Sequence, residues 1–273
     1  MAGDRTGDRD LVKRLAAGWR RPHSWGMTVP TSPAAPAPGS ATGSATGPVT
    51  DPLAALRDRA VWVFDLDNTL YPASCNLFAQ VDRRINEFIA THFNIGMDEA
   101  RVRQKRFFRD YGTTLRGLMT EHDVDPAAYM DYVHDIDVTG VQPSALLADA
   151  LARLPGRKII YTNGSVRHAE NVAGRLGILD RFEAVFDIAA GGYVPKPDPR
   201  PYATLVERHG FDPADACMVE DIARNLAPAH ALGMTTVWVR GEQEYEKAGV
   251  GAGVHIDHTV DDLPAWLAAV AGV

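Results

Sequence analysis

Six side chains able to do acid–base, nucleophilic or metal chemistry stand at or just beyond the ends of apolar runs. Asp65 and Asp67 follow AVWVF, Thr162 follows RKIIY, and Lys196 lies in the proline-flanked PKP beyond AVFDIA. Glu220 and Asp221 follow ACMV. Short runs rich in β-branched and aromatic residues read as buried strands. In an open parallel sheet, ligands bind beyond the carboxyl ends of the strands. All six groups are therefore expected at one edge of one sheet. Side chains two apart on a strand share a side, so Asp65 and Asp67 are expected as neighbours, with Leu66 turned away.

The four carboxylates of Asp65, Asp67, Glu220 and Asp221 sum to a formal charge of −4. Two like charges about 4 Å apart repel by about 4 kcal/mol at an effective dielectric of 20, so such a cluster does not serve the fold. Lys196 offsets one charge. A hard divalent cation would offset two more, and Mg²⁺ prefers carboxylate and water oxygens. A metal, an amine and a hydroxyl around a carboxylate suit phosphoryl transfer, because the cations neutralise the transferring oxygens. A carboxylate can attack phosphorus. An acid two residues on can protonate the leaving oxygen and then deprotonate the water that clears the intermediate.

The motifs FDLDNTLY at 64–71, YTNG at 161–164, PKP at 195–197 and VEDIARN at 219–225 occur in that order. Over residues from about Ala60 to Arg240 the chain resembles the haloacid dehalogenase-type phosphatase superfamily. The resemblance implies Asp65 as nucleophile and Asp67 as general acid/base, with Thr162, Asn163 and Lys196 holding the phosphoryl group. It implies Mg²⁺ bound by Asp65, the backbone carbonyl of Asp67 and Asp221, with Glu220 and Asn225 behind them. FDLDNTLYP, DYGTTLRGL, TNGSVRHAENVAGRLGI and VEDIARNL are further similar to the pyrimidine 5′-nucleotidase branch, which acts on nucleoside monophosphates such as UMP and CMP. Related branches act on sugar phosphates or phosphoglycolate. A dehalogenase working on carbon needs the attacking carboxylate but neither metal nor the acid two residues later, so Asp67 and Asp221 argue against it. A non-catalytic binding protein is disfavoured because every motif residue is present.

The elements that must position these groups form two patterns. From Ser144 onward, helical stretches alternate with short apolar strands, ending in HIDHTV and LPAWLAAV. Such alternation specifies a doubly wound, Rossmann-like parallel α/β sheet covered on both faces. Between the first strand and this region, residues 72–143 read as four helices. The fourth starts with Asp125 as N-cap and Pro126 in the first turn. This block is expected to be a cap inserted into the haloacid dehalogenase-like core, which comprises 51–71 and 144–273. Its aromatics Phe107, Phe108, Tyr111, Tyr129 and Tyr132 are expected mostly in the cap interior, with one or two stacking on a base. Tyr111, Thr113 and Thr114 are the preferred specificity positions, followed by Asn68 and Tyr71. His168 is expected to face solvent or pack its helix.

Composition sets the outer bounds. The 273 residues carry 35 acidic and 28 basic side chains, a net charge of −7, so no basic face for a nucleic acid polymer is expected. The expected partner is a small phosphate monoester. No apolar run approaches the ~20 residues needed to span a bilayer. The apolar stretch Leu15–Trp19 is shorter than the ~7–15 residues of a secretory signal. Residues 1–50 are expected to form a disordered tail, since 22–50 contain no charged residue and are rich in Pro, Ala, Gly, Ser and Thr. Met27 is an alternative start. Two cysteines, Cys75 and Cys217, cannot build a disulfide framework, which points to a reducing, cytoplasmic setting. Cys217 is expected as an inert core thiol. Cys75 lies close to the first motif.

Overall fold

The computed structural model of the protein describes residues 53–241 and 256–273. The tail expected over 1–50 and the alternative start at Met27 lie outside them. Among the described residues, six strands form one parallel sheet in the order β3-β2-β1-β4-β5-β6. They are β1 (Val61–Phe64), β2 (Arg157–Tyr161), β3 (Ala184–Phe186), β4 (Ala216–Glu220), β5 (Thr235–Val239) and β6 (His258–Val260). β1 pairs with β2 on one side and β4 on the other. The order thus runs outward from β1 in both directions, and the switch point lies beside its carboxyl end.

Alternation along β1 divides the core in two. Trp62 and Phe64 point to one face, where they meet Leu147 and Leu151 of one helix (Ala145–Arg153) and Val172 and Leu176 of another (Val166–Leu176). Val61 and Val63 point to the other, against Tyr202 and Leu205 of the helix Pro199–His209 and Leu226 of Leu226–Leu232. Every residue of β1 is buried, as a parallel sheet covered on both faces requires. Each such side chain contributes about 1.5–3 kcal/mol by leaving water.

Between β1 and the helix Ala145–Arg153 stand four α-helices: α1 (Leu77–Phe93), α2 (Met97–Tyr111), α3 (Thr114–His122) and α4 (Pro126–Val133). They enclose their own buried cluster, including Ile89, Phe107, Leu118, Met130 and Val133. α4 starts as its sequence indicates, with the Asp125 carboxylate accepting from the amides of Ala127 and Ala128. α2 and α3 approach closely because position 117 is glycine. A Cβ there would stand 2.7 Å from the Cβ of Phe107. Phe78, which shares the helical spacing of the apolar residues of α1, is instead 55% exposed. No helix among the described residues is long and apolar enough to cross a membrane.

Candidate active site

The site begins where β1 stops. The Asp65 amide still donates to Val219 of β4, at 2.9 Å. The chain then turns: the amides of Thr69 and Leu70 both donate to Leu66 O, and Asn68 takes a left-handed φ of 61°. This turn buries Leu66 and folds the polar side chains back toward Asp65. Asp65 Oδ2 accepts from Thr69 Oγ1 at 2.9 Å, and Oδ1 accepts from Lys196 Nζ at 2.6 Å. Asp67 Oδ1 accepts from Tyr71 Oη at 2.6 Å and from His168 Nε2 at 2.7 Å.

Neighbouring strands supply the rest. Thr162, just past β2, is buried, and its hydroxyl accepts from the Gly164 amide at 2.8 Å. A Cβ on Gly164 would come within 3.1 Å of both this hydroxyl and the His168 ring. Lys196 Nζ also donates to Glu220 Oε2 at 2.6 Å and to the Tyr161 carbonyl at 3.1 Å. The Asn163 side-chain oxygen is turned to the Lys196 amide, at 2.9 Å. Glu220 has its other oxygen on Asn225 Nδ2 and the Ile222 amide. The Asp221 carbonyl accepts from Trp238 Nε1 at 2.7 Å, while its Oδ2 is buried without a hydrogen-bond partner. Asp65, Glu220 and Asp221 each offer an oxygen within 4.8 Å of the others.

Burial and crowding set the charges. Burial, followed by the charge of Glu220, pushes Asp65 up to about 7 against the pull of Lys196. Burial, then Glu220 and Asp65, raises Asp221 well above the carboxylate range. For Lys196, burial disfavours the ammonium, but Asp65 and Glu220 outweigh it and raise its pKa. Burial also pushes Asp67 upward, yet His168 and Tyr71 hold it down at about 2. Burial and the Asp67 charge keep the Tyr71 hydroxyl protonated. Three buried carboxylates around one amine leave a surplus of negative charge. The unpartnered Asp221 oxygen shows where that surplus is uncompensated, and the oxygen-only donor set fits Mg²⁺.

A cavity of about 540 Å³ opens over this edge and extends between the cap helices. Asp65, Asp67, Thr162, Asn163, Lys196, Glu220, Asp221 and Asn225 all line it. The proposed specificity positions separate. Asn68, Thr113 and Thr114 line the cavity, although Thr113 also caps α3 by accepting from the Arg116 amide. Tyr71 is committed to Asp67, and the Tyr111 hydroxyl points away to Glu121 at 2.7 Å. Cys75 packs against the sheet core, and Cys217 is fully buried in β4. Of the cap aromatics, Phe107 is buried in the cap interior, and Phe108 and Tyr129 reach the cavity. Tyr132 lies under the guanidinium of Arg84.

Sequence reading missed several residues. His168 lies on the packed face of its helix, one of the two places expected for it, but its ring is spent on Asp67 as well as on packing. Its helix was legible, but a partner 101 residues away was not. Gln104 and Asp82 line the cap side of the cavity, joined Nε2 to Oδ1 at 2.6 Å. Polar residues on amphipathic helices give no signal separating a solvated face from a cavity wall.

A family model described as haloacid dehalogenase-like hydrolase matches residues 60–233. Among curated proteins, Phosphate metabolism protein 8 of Saccharomyces cerevisiae is 26% identical over 192 residues, covering 64% of this chain and 60% of that protein. The chain therefore spans less than two thirds of that relative's length. A solved HAD phosphatase from Thermococcus onnurineus superposes with a TM-score of 0.50 at 21% identity, over 78% of this chain and 98% of that one. The HAD-hydrolase YfnB from Bacillus subtilis bound to magnesium gives 0.51 at 13% identity, over 79% and 100%. L-2-haloacid dehalogenase from Xanthobacter autotrophicus gives 0.50 at 18%, over 79% and 99%. At these identities the structural likeness is one of fold.

Proposed function

The chain belongs to the haloacid dehalogenase-like hydrolases, and we propose that within this family it cleaves phosphate monoesters through a phosphorylated Asp65, with pyrimidine nucleoside 5′-monophosphates as substrates. The observation that carries this reading is the buried carboxylate–amine centre. Asp65 is held by Lys196 and Thr69, Lys196 is held by Glu220, and the free Asp221 oxygen lies beside them.

Asp65, the main-chain carbonyl of Asp67, and Asp221 would hold Mg²⁺. Glu220 has both oxygens engaged and supports Lys196 instead. When bound, the cation supplies positive charge opposite the phosphoryl oxygens and counters the surplus around Asp65. The chain's own groups carry the steps. Lys196 and Thr162 hold the phosphoryl oxygens. An Asp65 carboxylate oxygen bonds to phosphorus as the bond from phosphorus to the ester oxygen breaks. The electron pair leaves with that oxygen, and Asp67 gives it a proton. Asp67 is ionised in the free site, but an adjacent phosphate dianion raises its proton affinity, as any like charge does. Water then enters, loses its proton to Asp67 and attacks phosphorus, which frees phosphate and restores Asp65.

The cap half of the cavity supports the nucleotide reading. Phe78 and Phe108 expose apolar rings at its wall, which the buried Tyr129 of the cap core also lines. A flat base is the natural partner of such rings, and the Gln104–Asp82 pair offers donors and acceptors for its edge. The two cysteines are free thiols, which supports a reducing, cytoplasmic setting. The test is phosphate release from UMP, CMP, purine nucleotides, sugar phosphates and phosphoglycolate, with 2-haloacids as a halide-release arm. UMP or CMP is expected to give the highest kcat/KM. A sugar phosphate in first place would contradict the substrate assignment, and halide release in EDTA would contradict the chemistry.

A further inference from the structure

We infer that Tyr71 and His168 are positioning residues that fix the rotation of the Asp67 carboxylate, so that Oδ2 faces the leaving oxygen of the substrate; this rests on the phosphatase reading above. Both donors reach the same atom. Tyr71 Oη lies 2.6 Å and His168 Nε2 2.7 Å from Asp67 Oδ1, and no hydrogen bond from the described residues reaches Oδ2. One donor would leave the carboxylate free to swing. Two donors from different elements, the turn after β1 and the helix Val166–Leu176, do not. The Asp67 side chain is 29% exposed at the cavity, so without them water would compete for either oxygen.

The His168 ring is itself held on every side. Its side chain is 2% exposed. It stacks on His134 with ring centres 4.5 Å apart and planes at 16°. His134 Nδ1 lies 3.1 Å from Ser165 Oγ, and that oxygen also accepts from the His168 amide at 3.3 Å. Gly164 leaves room for the ring where any side chain would crowd it. His168 Nδ1 is nevertheless buried without a partner. An unpaired buried nitrogen is a loss to folding, so the benefit of the ring lies in the Nε2 contact with Asp67. His134 follows directly on cap helix α4, so the segment leaving the cap packs on the group that aims the acid. The Tyr71 and His168 side chains share no hydrogen bond with Lys196, Thr162, Asp65, Glu220 or Asp221; both are spent on Asp67.

The experiment exploits the leaving group. The ratio kcat/KM reports the step in which Asp65 is phosphorylated. p-Nitrophenol departs without a proton, whereas an alkoxide needs one. Wild type, Tyr71→Phe, His168→Gln and His168→Ala are compared on p-nitrophenyl phosphate and on UMP, or on the best alkyl ester of the substrate panel. Tyr71→Phe is isosteric, and thermal melting of each variant reports its fold. In Tyr71→Phe and His168→Ala, kcat/KM for the alkyl ester is expected to fall about 10- to 100-fold, a fraction of the roughly 10²–10⁴ that a general acid supplies. The value for the aryl ester should fall several-fold less. His168→Gln, which keeps an amide donor, should recover part of the loss. Equal losses on both esters, or no loss on either, in an active enzyme overturn this inference alone. A wild type inert toward both esters overturns it together with the phosphatase reading.

Discussion

Lys196 and Phe108 line the same cavity under opposite constraints. The amine is 6% exposed and donates to Asp65, Glu220 and the Tyr161 carbonyl. The ring is 56% exposed and has no aromatic neighbour among the described residues. The difference follows from what each half must bury. An ionised group taken from water must be paired, so the strand-end half of the cavity is a closed network in which moving one group strands another. An apolar wall carries no such obligation, so the cap half can change its surface without disturbing the chemistry beneath. Substitutions in the strand-end half should therefore change the rate on every substrate. Those in the cap half should change the order of substrates.

Asp65→Asn tests the first half most severely. Turnover of every ester should fall by at least about 10⁴-fold, a barrier of about 5.5 kcal/mol. Steady-state phosphate release with a thermal melt alongside checks this, and a loss within tenfold of wild type breaks the comparison. Metal removal comes next. Dialysis against EDTA should lower turnover by about 10³-fold, consistent with the several kcal/mol a Lewis acid supplies, and Mg²⁺ should restore it. Gly164→Ala should cost about tenfold in kcat, or ~1.4 kcal/mol, because the added methyl meets both Thr162 and His168. That loss should be similar for all alkyl esters, whatever group the phosphate is attached to. Phe108→Ala is the smallest and sharpens the contrast. KM for UMP should rise about fivefold with kcat held, near the lower end of base–aromatic stacking at ~1 kcal/mol. An equal rise for a phosphate ester without a ring would remove Phe108 from base recognition.

The same asymmetry decided what the sequence disclosed. Strand-end groups were legible because a buried parallel strand is a short apolar run, and polar residues directly after it have few structural reasons to be there. Asp65, Thr162 and Glu220 could be placed on one edge from that alone. The Asp125–Pro126 helix start was equally local. Partners joined across elements were not legible. His168 lies on the inward face of its helix beside Ala169, Val172 and Leu176, where a histidine reads as packing. Tyr71 looked like a cavity residue because it follows Asp65 closely, yet the turn at Asn68 returns its hydroxyl to Asp67. Gln104 and Asp82 meet only because α1 and α2 pack together, and Tyr111 leaves the cavity because Glu121 on α3 offers an acceptor.

The proposed chemistry requires that Asp65 becomes covalently phosphorylated. Acid quenching during turnover of the preferred ester, followed by peptide mass spectrometry, tests it directly. A phosphoryl group is expected on the peptide containing Asp65, stable in acid, released by hydroxylamine and missing from Asp65→Asn. Quenches in which the leaving group is released ahead of phosphate while the Asp65 peptide stays unphosphorylated would mean that another group carries the phosphoryl, and the assignment of Asp65 as nucleophile would be wrong.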